Sequence, residues 1–195
     1  IQKKRISEKT LKALTKLKER NIILCLSTGR SPITVPHFEG WEADVFLTFN
    51  GSYCYNRQQV IYKTPIPTED AKLIVRNAAS INRPVSIATT KKLAANGRDK
   101  DLVDYFALAK LEVDVSEKFD KMIEGEEVYQ IMCGGCESEY PALLRDVKNA
   151  KITAWWDRAV DIIPANGLGS RKCLLIIIFK NRKRLLLGTE ITILI

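Results

Sequence analysis

Apolar residues recur at helical spacing from the start of the chain. Ser7 is a suitable helix cap, and Leu11, Leu14 and Leu17 follow it three residues apart, which predicts a helix over about 7–20. Asn21 ends that pattern, and Ile22-Ile23-Leu24-Cys25-Leu26 runs on without polar alternation. A strand covered on both faces reads this way. Ser27-Thr28-Gly29-Arg30-Ser31-Pro32 breaks the run, and a second short apolar strand, Val45-Phe46-Leu47-Thr48, ends at Asn50-Gly51. Tyr53–Tyr55 and Val60–Tyr62, joined through Asn56–Gln59, predict a hairpin.

The pattern changes at Thr64-Pro65-Ile66-Pro67. Beyond it the spacing predicts helices near 68–80, 99–108 and 138–148. It predicts strands near 84–89, 91–95, 127–132, 151–156 and 159–163. Helix, buried strand, polar loop, helix, buried strand is the order of a doubly wound α/β domain. The middle segment, with its mixed helices and strands, predicts an α+β domain inserted between residue 63 and about 158.

The chain of 195 residues is 46% hydrophobic and 28% charged, an ordinary globular composition. No apolar stretch approaches the ~20 residues of a membrane span, so no membrane partner is expected. The five cysteines are odd in number and sit mostly in apolar segments, which suits reduced thiols in a cytoplasm. The net charge of +8 invites a nucleic-acid reading, but residues 171–195 hold six basic residues and one acidic one. That leaves 25 against 22 for residues 1–170, a net of +3, which argues against nucleic acid as a partner.

Three loops could carry chemistry. Ser27-Thr28-Gly29-Arg30 directly follows a buried strand, where ligand sites of α/β sheets form, and a hydroxyl with free backbone N–H groups suits a phosphate oxygen. The plainer reading is a capped strand-to-helix turn. Thr48-Phe49-Asn50-Gly51-Ser52 also follows an apolar strand and would lie beside the first loop; otherwise it is an ordinary Asn-Gly turn. In the third, Asp161-Ile162-Ile163-Pro164 leads to a glycine-bearing loop and Lys172, whose charge could neutralise a phosphate or a carboxylate. Its alternative is one more solvated lysine. Cys133-Gly134-Gly135-Cys136 has CxxC spacing without a second ligand pair and reads as a turn. His37 is the lone histidine and reads as a loop residue, and Trp155-Trp156 reads as an anchor of the inserted domain.

Taken in order, the Thr-Gly-Arg loop, the strand ending in Asn-Gly, the long insertion and the Asp-Ile-Ile-Pro…Gly…Lys segment resemble the haloacid dehalogenase-like phosphatases of the Cof type. The resemblance covers residues 1 to about 172. It implies an α/β fold, with a Rossmann-like core over 1–63 and 158–195 and an inserted α+β cap over 64–157. It implies a Mg²⁺-dependent phosphatase acting on a small phosphorylated metabolite, such as a sugar phosphate, through a phospho-aspartate. Carried onto this chain, Thr28 would bind the phosphoryl group, with Gly29 and Arg30 in the same motif and Asn50 and Gly51 lining the same edge. Lys172 would steady the nucleophile and the phosphate.

The family's Asp-x-Asp-Gly-Thr and Gly-Asp-Gly-x-Asn-Asp motifs are not in the sequence. The first should lie shortly before Ile1, so a truncated start is expected. Permitted codons for Leu185–Ile195 spell Gly-Asp-Gly-Asn-Asn-Asp in a neighbouring frame, so residues from about 173 onward are expected to be an out-of-frame translation. On that reading the strand at about 22–27 lacks its central neighbour and keeps an unpaired edge, and the chain as given is inactive, poorly soluble and a weak binder of Mg²⁺. A basic nucleic-acid-binding module and a non-functional gene fragment remain the competing readings. The sequence does not define the oligomeric state.

Overall fold

The structure is a computed structural model that describes residues 6–167, with the backbone of 185–186 and 191–194. The chain divides into two compact units, one formed by Ile1–Lys63 with Leu168–Ile195 and the other by Thr64–Gly167.

In the first unit, α1 (Glu8–Glu19) begins where the Ser7 hydroxyl accepts the Thr10 N–H at 3.1 Å. It ends at Asn21, which adopts a left-handed conformation (φ 57°). The strands β1 (Ile23–Ser27), β2 (Val45–Thr48), β3 (Tyr53–Tyr55) and β4 (Val60–Lys63) follow. β1 and β2 are parallel, with Leu26 opposite Phe46, and β2, β3 and β4 continue antiparallel. Alternation along β1 explains its unbroken apolar run. Leu24 and Leu26 pack with Leu14 of α1, Val35 and Trp41 on one face, while Cys25 packs with Val45, Leu47 and Cys54 on the other.

The outer edge of β1 is not unpaired, contrary to the sequence expectation. Ile191–Leu194 (β11) pairs with it antiparallel, Ile23 opposite Leu194, and Leu185–Leu186 (β10) pairs in turn with β11. An open strand edge presents a row of N–H and C=O groups that any compatible extended segment can satisfy. The other expectations for 173–184 and 187–190 lie outside the described residues.

The second unit holds an antiparallel sheet of order β6-β5-β7-β9-β8, formed by β5 (Val85–Ala88), β6 (Leu93–Ala95), β7 (Gln130–Cys133), β8 (Ala150–Trp156) and β9 (Ala159–Pro164). Its helices are α2 (Thr68–Ser80), α3 (Lys100–Leu108), α4 (Phe119–Gly125) and α5 (Tyr140–Leu143). One continuous core joins Ile74 and Ala78 of α2, Met122 and Ile123 of α4, and Ile87, Ile131 and Ile162 of the sheet. The unit runs to Gly167, past the boundary expected at 157, because β9 lies between β7 and β8 and completes this sheet.

Three further expectations change. Only a 3-10 turn, Pro32–Thr34, stands where the second helix of the α/β order is expected, between β1 and β2. The helix predicted over 138–148 shrinks to a short 3-10 turn and Tyr140–Leu143. The Asn77 side chain of α2 donates to the carbonyls of Leu143 and Arg145 at 3.1 and 2.9 Å, and Asp146 turns left-handed (φ 61°). Trp155 and Trp156 do not bury themselves as anchors, being 55% and 38% exposed; Trp155 is held instead through its Nε1–H, which donates to Asp161 at 2.6 Å. No helix among the described residues is long and apolar enough to cross a membrane.

Candidate functional site

Because β1 and β2 run parallel, the loops after them leave the first unit's sheet at the same edge. Backbone hydrogen bonds stitch the two loops together. Thr28 N–H donates to Leu47 O at 2.9 Å, Phe49 N–H to Arg30 O at 3.0 Å, and Asn50 N–H to Thr28 O at 3.2 Å. Thr28, Gly29, Arg30, Asn50 and Gly51 are thereby brought into one local structure.

Within the first loop the Arg30 N–H donates to Thr28 Oγ1 at 3.2 Å. That contact occupies an acceptor lone pair and leaves the hydroxyl proton free to donate. No partner for the Gly29 N–H is found among the described residues. Thr28 and Gly29 are half-buried and Arg30 is exposed.

The second loop is strained. Phe49, Asn50 and Gly51 all have positive φ, at 50°, 56° and 86°. Glycine and asparagine tolerate this region, but a bulky residue such as phenylalanine rarely enters it. Burial of the Phe49 ring, which is 0% exposed, holds the turn in place. Strain of this kind costs about 1–3 kcal/mol and concentrates at binding and catalytic sites. Two side-chain atoms here, Asn50 Nδ2 and Ser52 Oγ, are buried without a hydrogen-bond partner. Buried polar groups are nearly always satisfied, so two orphans in one loop are unusual among the described residues.

Cys25 sits in β1 below these loops, but burial, and secondarily Asp44, push its thiol up to about 12, so it supplies no thiolate. Lys172 lies outside the described residues. Among the described residues no group of three or more His, Cys, Asp or Glu comes together to hold a metal ion, so these residues do not fit a Mg²⁺ site. The strand ahead of the third candidate loop, β9, belongs to the second unit, where Asp161 is fully buried and accepts from Tyr105, Trp155 and Gln130. The CxxC segment is a turn: Cys136 N–H donates to Glu139 Oε2 at 2.8 Å, and burial pushes the Cys133 thiol up to about 12.

Sequence reasoning quoted Ser52 but gave it no role, and it did not single out Phe49. Asn-Gly is a readable signal for positive φ. Nothing in the sequence marks the preceding phenylalanine as sharing that conformation.

Residues 2–167 match the sequence model of the haloacid dehalogenase-like hydrolase family. YkrA of Bacillus subtilis (strain 168), which carries a provisional phosphatase name, is 26% identical over 165 residues, covering 84% of this chain and 63% of that protein. From the same organism, 5-amino-6-(5-phospho-D-ribitylamino)uracil phosphatase YitU is 26% identical over 146 residues, covering 72% of this chain and 53% of that one. The chain thus spans less than two thirds of the length of these relatives. Among solved structures, a phosphatase of the haloalkanoate superfamily from Bacteroides thetaiotaomicron superposes with a TM-score of 0.80 at 19% identity, covering 91% of this chain and 66% of that one.

Proposed function

Because the chain belongs to the haloacid dehalogenase-like hydrolases, we infer that its first unit carries the phosphate-binding part of a phosphatase acting on a small phosphorylated metabolite. The observation that supports this most is the pair of stitched loops, where no partner for the Thr28 O–H or the Gly29 N–H is found among the described residues and Asn50 Nδ2 is buried and unpaired. Donors held in advance in one local structure suit the spread negative charge of a phosphoryl group and reorganise little during transfer. The substrate named for YitU is such a metabolite.

The second unit serves as the cap that selects the rest of the substrate, and Lys172 neutralises charge at the phosphate. The nucleophilic aspartate and the Mg²⁺ dependence implied by the family attach to a whole protein carrying both acidic motifs. This chain, without those motifs, binds phosphate but does not hydrolyse its esters. The protein acts in the cytoplasm.

Titration with inorganic phosphate, followed by backbone amide NMR, tests the binding. The amides of Gly29, Arg30, Asn50 and Gly51 are expected to shift together. Thr28→Val should weaken binding about 10-fold, the loss of one hydrogen bond to a charged group. Shifts confined to other residues would overturn the assignment, and phosphate-ester turnover by this chain would overturn its inactivity.

A further inference from the structure

A cavity of about 450 Å³ opens in the first unit between Lys18 of α1, the segment from Pro36 to Ala43, and Leu26 and Phe46 of the sheet. Its size is that of a small-molecule pocket. Three aromatic side chains wall it. Phe38 and Trp41 lie with ring centroids 6.1 Å apart at 52°, and Phe46 is backed by Tyr55, stacked at 5.1 Å and 13°. A backed phenyl ring, a second phenyl ring and an indole suit a flat ring inserted among them.

The polar groups at this cavity are unbalanced. Its acidic side chain, Glu42, is ion-paired with Arg57, and the Glu42 carbonyl accepts from Lys18 Nζ at 2.5 Å. Lys18 also pairs with Asp44 at 3.1 Å. Both acceptors of Glu42 are therefore engaged, while Lys18 and Arg57 keep N–H donors beyond these pairs. The Trp41 indole N–H is the sharpest case. Trp41 is only 8% exposed, and its Nε1 is buried with no hydrogen-bond partner. An indole nitrogen can only donate, and a buried donor left unmade costs about 1–3 kcal/mol. The missing complement is an acceptor, preferably anionic, attached to a flat apolar body.

We propose that this cavity is a binding site for a planar aromatic acid. The ring lies against Phe38 and Phe46, and the carboxylate accepts from Trp41 Nε1–H beside Lys18 and Arg57, which keep N–H donors beyond their ion pairs with Asp44 and Glu42. The site is separate from the Thr28 and Asn50 loops and does not depend on the phosphatase reading.

Heteronuclear NMR of the full chain tests it directly, because the 3 tryptophans give separate indole N–H resonances and Trp41→Phe removes one of them. The probe is naphthoate, with naphthalene methanol as its uncharged counterpart. Naphthoate should move the Trp41 indole resonance saturably, with a Kd of about 1 mM or tighter, while those of Trp155 and Trp156 stay in place. Naphthalene methanol should bind about 10-fold more weakly, and Arg57→Ala should weaken naphthoate about 3-fold or more. Should Trp41→Phe not fold, Arg57→Ala supports the same comparison, since the Arg57 side chain is 74% exposed. A Trp41 resonance that fails to saturate up to about 10 mM, equal binding of the uncharged probe, or equal movement of all the indoles would overturn the proposal.

Discussion

Asn50 combines two roles that substitution can separate. Its backbone is left-handed, at φ 56° and ψ 30°, and its Nδ2 is a buried, unpartnered donor. Glycine adopts that backbone freely and removes the donor, whereas alanine removes the donor and strains the backbone. Asn50→Gly is therefore expected to unfold within about 0.5 kcal/mol of the parent and to bind phosphate several-fold more weakly. Asn50→Ala should in addition lose about 1 kcal/mol in urea unfolding. Glu139 shows a different residue-scale effect. Hydrogen bonds from Arg83, at 2.9 and 3.1 Å, hold its carboxyl down to about 2. A depressed carboxylate contributes stability that is present above its unfolded value of 4.5 and is lost as pH falls toward about 2. Glu139→Gln should cost about 2–3 kcal/mol at neutral pH and flatten the acid limb of stability between those values. An unchanged acid limb would show that the pair contributes nothing.

Elements are where the sequence was most and least readable. β2 and α2 fall at the residues that apolar spacing predicts, Val45–Thr48 and Thr68–Ser80, because each buries one clear set of side chains. α4 was not foreseen. Only Phe119, Met122 and Ile123 face the core over its 7 residues, and no side-chain cap opens it. α5 fell short of its predicted length because its termination depends on Asn77, a residue far away in sequence. In the candidate site, Thr28 and the Asn-Gly pair were legible from position after a strand. The orphaned Ser52 hydroxyl was not, since burial without a partner is a property of packing. Packing also sets a sharp limit at Gly134, where an added Cβ would stand 2.3 Å from Asp101 Cβ and 3.3 Å from the α3 backbone. Backbone cannot give way as a flexible side chain can. Gly134→Ala should push α3 off the sheet, disturb the Arg83–Asp101 ion pair and cost about 1–3 kcal/mol, read as a lower denaturant midpoint.

At the scale of the whole molecule, the two units differ in how their cores are built. The second has one continuous cluster, in which α2 and α4 pack across Ile87, Ile131 and Ile162, and its sheet is antiparallel throughout. The described core of the first is divided by its sheet into two smaller clusters, one beneath α1 and one around Cys25, Val45, Leu47 and Cys54. Apolar burial is the main favourable contribution to stability, and small separate clusters supply less of it cooperatively. Among the described residues, the outer edge of β1 is closed by the short backbone pairing of Ile191–Leu194. The first unit should therefore open at lower free energy than the second. Native-state hydrogen exchange of the full chain measures this: amides of β5, β7 and β9 are expected to exchange only through global unfolding of their unit, and those of β1 and β2 at least about 10-fold faster. Low urea should accelerate β1 and β2 first, since they open by a smaller unfolding that exposes less surface. Equal protection in β1 and β7 across that range would mean that the units unfold as one, and that the divided core does not weaken the unit holding the phosphate loops.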